Sequence, residues 1–415
     1  MTSELGRRLW FTIGALLVYR LGSHIPLPGI DPSAWDQIFR SQAGGILGMF
    51  NVFSGGGIHR LAIFALGLLP YLSAAILIQL ISFFPTTLRT LARQGEYGRR
   101  TLELYTRYLA VLLAAFQAYG IAVGLERVDN LVGAPGWLFR ASTVLSLTGG
   151  TMFLVWLSGQ ITLRGIGNGL AMIFALGIIV ELPAAAVGML ELGRHGVLST
   201  GGILGLIAFV ADLTGLIVFG ELARRRFLVV YSRRQVGMRM IEGQSYLAVK
   251  LNPAGMLPAV FASSLLLLPI TIINTFHTGR SPDWLAAIVT QLSHGRPLFL
   301  LYYALAIVLC VFVYTAFVLS PDQLAADIAR HGGAIPGVAP GNATAAHLDA
   351  AISRTTILGA TYLALVYLVP ELLISYVAVP FYFGGTSLLL VVGAAVDLNA
   401  QLKNHALVMG GDQRP

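Results

Sequence analysis

Charged residues are scarce in this sequence of 415 residues. Only 11% are Asp, Glu, Lys or Arg, whereas about a quarter of a typical soluble domain is charged. Lys250 and Lys403 are the only lysines, and neither precedes Ser or Thr, which excludes a Walker A phosphate-binding loop. The single cysteine, Cys310, excludes a disulfide within this sequence. Neither an HExxH zinc motif nor a GxSxG nucleophile motif occurs, so we expect no enzyme activity, no metal and no cofactor.

Hydrophobic residues make up 56% of the chain, the mean hydropathy is +0.76, and 47 residues are glycine. This composition predicts an all-α integral membrane protein, because glycine is commoner in membrane helices than in soluble ones. Ten apolar stretches are candidate spans, and the five longest exceed the ~20 residues that a spanning helix needs. The candidates cover residues 9–22, 61–88, 108–125, 141–163, 169–190, 201–220, 251–279, 297–321, 355–374 and 372–396.

The basic residues are distributed unevenly between the two sets of loops. If the amino terminus lies inside, the inner loops and termini carry 19 of the 27 Lys and Arg residues and the outer loops carry 7. The positive-inside rule therefore predicts that both termini are cytoplasmic. Ten spans also divide into an N-terminal half, residues 1–200, and a C-terminal half, residues 201–415. An odd number of spans per half implies that any internal repeat is inverted in the membrane.

Three segments between the spans need separate explanations. Residues 44–60, GGILGMFNVFSGGGIHR, are apolar, bounded by glycines and too short to span, so they either fold back into the protein or form an outer surface loop. Residues 221–254 are strongly basic and contain the β-prone sequence FLVVY, which predicts a hairpin that projects into the cytoplasm. Residues 320–354 contain the turn cluster GGAIPGVAPG. Positive-inside bias explains the charge of these two inner loops but not their length.

Four ionisable residues lie in or near the candidate spans. Ionisable groups within a membrane are candidates for a proton or ion relay. They are spread over four helices, however, and only one looks deep, so we favour structural roles. The four are Arg20, Glu181, Asp212, which is the deep one, and Glu371. A further short motif, GIGNG at residues 165–169, predicts a tight inner turn.

Six long motifs occur in order along nearly the whole chain, from about residue 7 to residue 403. They are VYRLGSHIPLPGID, MFNVFSGGGIHRLAIFALGLLPYLSAAILIQL, EYGRRTLELYTRY, GTMFLVWLSGQITLRGIGNG, NPAGMLPAVFASSLLLLP and FYFGGTSLLLVV. Together they resemble the bacterial SecY protein-translocation channel subunit family, which is related to Sec61-alpha. The resemblance implies ten transmembrane helices in two inverted five-helix halves around a central pore, with a re-entrant plug at about residues 44–57.

The resemblance also assigns residues to sites. The plug residues would be Ile46, Leu47, Met49, Phe50, Asn51 and Phe53. The ring that closes the pore would be Leu68, Leu72, Leu170, Phe174, Val260 and Leu390. The lateral gate toward lipid would include Gln79, Ser263 and Ser264. Two pairs in the ring are spaced i, i+4 and so share a helix face, and all six residues are apolar. A narrow apolar ring resists wetting and makes no specific hydrogen bonds.

The family resemblance implies SecE-type and SecG-type membrane subunits, a SecA ATPase or a ribosome as motor, signal-sequence-bearing preproteins as cargo, and contact with membrane lipid. The expected location is the bacterial cell inner membrane. Docking of the motor would involve Arg233, Arg234 and Arg239, and the position of Ala339, where the family carries an arginine in its PGxRPG turn. This departure leaves a specialised SecY-like insertase with altered motor coupling as one alternative. A secondary transporter of a small solute is the other.

Overall fold

The computed structural model describes residues 2–42, 46–83, 90–91, 94–128, 130–231, 234–236, 239–241, 244–253, 255, 258, 262, 297–376 and 384–411. Twelve named helices lie within these residues: α1 Thr2–Gly22, α2 Pro32–Gln42, α3 Ile46–Phe53, α4 Leu69–Phe83, α5 Gly95–Glu126, α6 Trp137–Arg164, α7 Gly169–Arg194, α8 Thr200–Leu222, α9 Pro297–Val318, α10 Pro321–Arg330, α11 Asn342–Tyr376 and α12 Gly385–Gly411. The strands are β1 Arg224–Tyr231, β2 Arg234–Val236, β3 Arg239–Ile241, β4 Gln244–Lys250 and β5 Gly333–Ala334.

Long apolar helices dominate the fold, as the composition predicts. In the part of the chain that the structure describes, seven helices are long and apolar enough to cross a membrane: α5, α6, α7, α8, α9 with its continuation into α10, α11 and α12. The first predicted span lies within α1, and the second contains the shorter apolar helix α4. The predicted span at 251–279 lies almost entirely outside the described residues. Cys310 is buried in α9.

Two predicted span boundaries are wrong. The span predicted from residue 61 begins as a helix only at Leu69, because residues 61–68 form turns that pair with the segment after α1. The Leu27 amide donates to the Leu61 carbonyl over 2.8 Å, and the Ile63 amide donates to the Ile25 carbonyl over 3.0 Å. The last predicted span also starts too early, since α11 runs to Tyr376 and α12 begins at Gly385. Hydropathy detects apolar residues but not where the backbone turns.

The helices of the N-terminal half pack in sequence order, α4 on α5, α5 on α6 and α6 on α7. Helix α5 presents a buried stripe of small residues spaced four apart: Ala110, Ala114, Ala118 and Ala122. Small side chains at this spacing let neighbouring helices approach closely, which is how membrane helices gain van der Waals contact without a hydrophobic driving force from water. Helix α12 packs against both α7 and α8 and so links the two halves of the chain.

The two long loops at residues 221–254 and 320–354 form one folded unit. Strands β1 and β4 pair antiparallel from Arg224–Lys250 to Val230–Gln244, which confirms the predicted hairpin. Strand β5 from the second loop then pairs antiparallel with β1 at Val230–Ala334, completing a sheet of order β4-β1-β5. Alternate residues of β1 point inward, and Val229 packs with a buried cluster from the second loop and α11. That cluster contains Ala325, Ile328, Ile335, Leu348 and Ile352.

Candidate functional site

The described ring residues lie together in the structure. Four of them are at most 3% exposed and belong to one hydrophobic cluster: Leu68, Leu72, Phe174 and Leu390. The fifth, Leu170, is partly buried and packs against the same cluster. They come from the start of α4, from α7 and from α12, so both halves of the chain contribute. Val260 lies outside the described residues.

The spacing of the first ring pair has a local structural basis. Leu68 precedes the first residue of α4, yet the Leu72 amide donates to the Leu68 carbonyl over 3.1 Å. This is the i to i−4 bond of an α-helix, so both side chains point to one face. Gly67, with a φ of +58°, makes the turn immediately before the pair. A residue with a β-carbon is disfavoured in this left-handed conformation.

The described part of the predicted plug segment is buried against the protein, which favours the folded-back alternative over an outer surface loop. Its helix, α3, packs against α7, and Asn51, Val52 and Phe53 are each at most 9% exposed. The Phe53 ring meets the Phe174 ring edge to face, with the centroids 6.2 Å apart. Phe53 therefore directly contacts Phe174, one of the residues predicted to close the pore. Both belong to the hydrophobic cluster that contains the described ring residues. Ile46, Leu47, Met49 and Phe50 also belong to α3.

Two of the four ionisable residues in or near the candidate spans lie close to the turn after α3. Arg20 of α1 donates to the Gly55 carbonyl, and Glu181 of α7 lies 3.9 Å from Arg60, which also donates to Gly55. Burial and the nearby Arg20 lower the pKa of the Arg60 guanidinium. The other two residues lie elsewhere: Glu371 is buried in α11 and Asp212 is exposed on α8. The four do not form one relay.

The GIGNG turn joins three helices. Gly167 adopts a φ of +89°, and the Asn168 side chain caps α7 by accepting from the Leu170 amide over 3.0 Å. The Gly167 amide donates to Gln401 Oε1 of α12 over 2.8 Å, and the Ile166 amide donates to Thr12 Oγ1 of α1 over 3.0 Å. The tight turn is confirmed. The anchoring by α1 and α12 is not predictable from the sequence, because the partners lie 154 and 234 residues away.

The predicted gate residues are described only in part. Gln79 is an exposed residue of α4, so its side chain is available to a neighbour in the membrane. Ser263 and Ser264 lie outside the described residues. The gate therefore stays a prediction.

The predicted docking positions map to the inner loops. Arg234 and Arg239 lie in β2 and β3, a separate antiparallel pair in which Val236 faces Arg239, and Arg233 lies outside the described residues. Ala339 is exposed in the turn after β5, and its carbonyl accepts from Thr344 Oγ1 over 2.8 Å. The sequence does not predict that the two loops share one sheet. The sequence of β1, RRRFLVVY, has an apolar run and no alternating pattern, so it carries no signal for a third strand.

Comparisons with known proteins agree on one family. The family model described as SecY matches residues 62–399. The protein translocase subunit SecY of Escherichia coli strain K12 is 45% identical over 404 residues, which cover 96% of this chain and 91% of that protein. The same subunit of Vibrio cholerae is 43% identical over 410 residues, covering 98% of this chain and 92% of the relative.

A solved structure of a protein-conducting channel has the same fold at low sequence identity. It is 17% identical to this chain, has a TM-score of 0.69, and the match covers 96% of this chain and 92% of that one. At this identity the likeness establishes the fold alone. The family model spans the described ring residues, and the matches to the two relatives extend over 96% and 98% of this chain. The chain therefore belongs to the SecY family.

Proposed function

We propose that this chain is the central pore-forming subunit of a protein-conducting channel in the bacterial inner membrane. It passes unfolded preproteins across the membrane and releases transmembrane segments laterally into lipid. The observation that carries the proposal is the single apolar cluster that contains Leu68, Leu72, Phe174 and Leu390 together with Phe53 of α3. SecY relatives are named as protein translocase subunits, which supports the same conclusion.

The chemistry of the ring suits a seal that must open for many sequences. An apolar constriction resists hydration and so blocks ions at rest. Leu, Val and Phe side chains offer no fixed hydrogen-bond geometry, so the ring can part around any polypeptide and close again without recognising it. Selectivity then has to come from the step that opens the channel, when an apolar signal segment enters the gate. Polar contacts such as those of Gln79 contribute only about 0.6 to 2 kcal/mol each within a membrane, so a signal segment can replace them.

We further propose an orientation of the chain in the membrane and a set of protein partners. Both termini face the cytoplasm, and the sheet β4-β1-β5 on that side docks a SecA ATPase or a ribosome. The motor supplies the energy, and this chain performs no catalytic step. SecE-type and SecG-type subunits complete the membrane complex, and Ser263 and Ser264 lie near the lateral gate between the halves 1–200 and 201–415. Val260 completes the ring.

Reconstitution distinguishes this function from solute transport. The chain is placed in proteoliposomes with SecE-type and SecG-type subunits, SecA, ATP and an unfolded secretory precursor. We expect precursor that is protected from added protease, and no protection without ATP. A secondary transporter instead needs polar ligands at broken helices near the membrane midplane. Solute uptake with no precursor movement would favour that alternative.

The motor contact is tested at Ala339. If Ala339 weakens docking, Ala339→Arg should increase SecA-dependent precursor transport several-fold, because arginine can form charge-assisted hydrogen bonds with a carboxylate of the motor. Ala350→Arg adds the same charge at another exposed position and should leave transport unchanged. An identical transport rate for Ala339→Arg and wild type would remove the argument for altered coupling and for a specialised insertase.

A further inference from the structure

The plug helix ends in a closed glycine turn. The Gly55 amide donates to the Val52 carbonyl over 3.2 Å, and the Gly56 amide donates to the Asn51 carbonyl over 2.9 Å. This pair of bonds, with Gly55 at a φ of +63°, is the Schellman arrangement that terminates an α-helix. The turn satisfies the last carbonyls of α3 and directs the Gly55 carbonyl away from the helix, toward other elements.

Two guanidinium groups converge on that carbonyl. Arg20 Nη1 of α1 donates to the Gly55 oxygen over 3.1 Å, and Arg60 Nη2 donates to the same oxygen over 3.0 Å. Bonds with an ionised donor are roughly twice as strong as neutral ones, and cations are favoured at a helix C-terminus. Both contacts are partly buried, so water competes for them less than at an open surface.

The two arginines are themselves held in place. Arg60 Nε donates to the Ser23 carbonyl over 3.1 Å, and Arg20 Nη1 lies 3.4 Å from Ser23 Oγ. Glu181 of α7 lies 3.9 Å from Arg60 Nη2 and offsets the repulsion between the two like charges. Elements α1 and α7 and the loop after the plug therefore all contribute to the position of one carbonyl oxygen.

Gly55 also fits tightly against its neighbours. A β-carbon at this position would lie 2.6 Å from the Tyr19 hydroxyl oxygen and 3.0 Å from the Gly177 Cα atom. Two kinds of contact therefore fix the position of the Gly55 carbonyl relative to α1 and α7. Steric contact acts on one side of Gly55, and the hydrogen bonds from the two arginines act on the other.

The two bonds differ in what they connect. Arg60 is only five residues from Gly55, so its bond can survive if the plug moves together with the loop that follows it. Arg20 belongs to α1, and its bond to Gly55 has to break when the plug leaves. We infer that Arg20, assisted by Arg60, is a positioning residue that latches the plug in the closed channel through the Gly55 carbonyl. This inference rests on the proposed function.

The first experiment compares resting channels in planar bilayers. The purified complex carries wild-type sequence, Arg20→Gln, or Arg140→Gln as a control. Arg140 pairs with Glu126 at 2.6 Å between α5 and α6 and does not touch the plug, so the control removes the same charge elsewhere. We expect roughly tenfold more resting ion conductance for Arg20→Gln, because one charge-assisted hydrogen bond is lost. Arg140→Gln should match wild type.

The second experiment repeats Arg20→Gln in a channel that lacks residues 46–54. Without the plug helix the latch has nothing to hold, so Arg20→Gln should add no further conductance. Arg20→Gln should also let a precursor with a defective signal sequence through in the intact channel, which a general loss of stability would not produce. Arg20→Lys keeps the charge but only one compact donor group, so its conductance should fall between wild type and Arg20→Gln. If the Arg20→Gln protein cannot be purified, Arg20→Lys takes its place in both experiments.

The outcomes separate the latch from the proposed function. Resting conductance of Arg20→Gln equal to that of wild type, with a leaky plug deletion, would overturn the latch alone. If Arg20→Gln raises the resting conductance equally in channels with and without the plug, Arg20 seals the pore by another route. That result also overturns the latch. A plug deletion that does not leak would contradict the plug itself, and the latch with it.

Discussion

The ring that closes the pore and the glycine end of the plug, formed by Gly55 and Gly56, lie in the same part of the structure. They use opposite chemistry. The ring consists of apolar side chains in van der Waals contact, with Leu68 and Leu390 each 1% exposed. Gly55, at the end of α3, is held by two charge-assisted hydrogen bonds and by steric contact with α1 and α7. Apolar contacts tolerate many occupants, whereas hydrogen bonds define one position. Under the proposed function, the ring would seal the pore and the glycine end would hold the plug in one position.

Removing the plug should have the largest effect on the seal. Deleting residues 46–54 takes away α3 and the Phe53–Phe174 contact, so the resting channel should conduct ions in frequent brief openings. Planar bilayer recordings measure this. Phe53→Ala removes only the aromatic contact and should give a smaller leak in the same recordings. A tight channel after the deletion would show that the ring seals alone.

Wetting the ring should have the next largest effect. Leu390→Asn puts an amide into the constriction, where it attracts water, so we expect resting conductance to rise and signal-sequence selectivity to loosen. Leu389→Asn is the matched control, since Leu389 is equally buried on the same helix but packs in a different cluster. The control should lower the thermal midpoint without raising conductance. Equal conductance of the two variants would contradict the assignment of Leu390 to the ring.

Changing the glycine end should have the smallest effect. Gly55→Ala combines a strained φ, which costs about 1 kcal/mol, with close contacts to Tyr19 and Gly177, so the plug has to shift. Gly95→Ala carries the same kind of strain, at a φ of +67°, with no atom within 4 Å of the added carbon. Both should lower the thermal midpoint, and only Gly55→Ala should raise resting conductance by a few-fold. A similar rise for Gly95→Ala would show that strain alone opens the channel.

The sequence predicts the spans because they depend on local pattern, whereas the ring residues are assigned by the family resemblance and the local pattern only agrees with them. Long apolar stretches locate α5 to α9, and the spacing of residues 170 and 174 puts two ring residues on one face of α7. Residues 61–68 are equally apolar, but their backbone pairs with the segment after α1. Hydropathy therefore extends the span eight residues too far. Secondary structure at such a position is decided by long-range hydrogen bonds that composition does not encode.

The glycine end of the plug could not be predicted for the same physical reason. Arg20 looks in the sequence like a residue that snorkels or pairs near the end of a span. Its partner is a backbone carbonyl 35 residues later, and no residue type marks that acceptor. The shared sheet of the inner loops is similar, because β5 has only two residues and no strand pattern of its own.

The most direct test asks where a precursor touches the chain during passage. Photo-crosslinking amino acids are placed at Phe174 and Leu390 of the ring and, as controls, at Leu145 and Leu301, which are 74% and 67% exposed on the outer faces of α6 and α9. A radiolabelled precursor is then stalled halfway through the reconstituted channel. The account predicts crosslinks to the precursor from residues 174 and 390 and none from residues 145 and 301. Crosslinks from the two controls, with none from the ring, would contradict it.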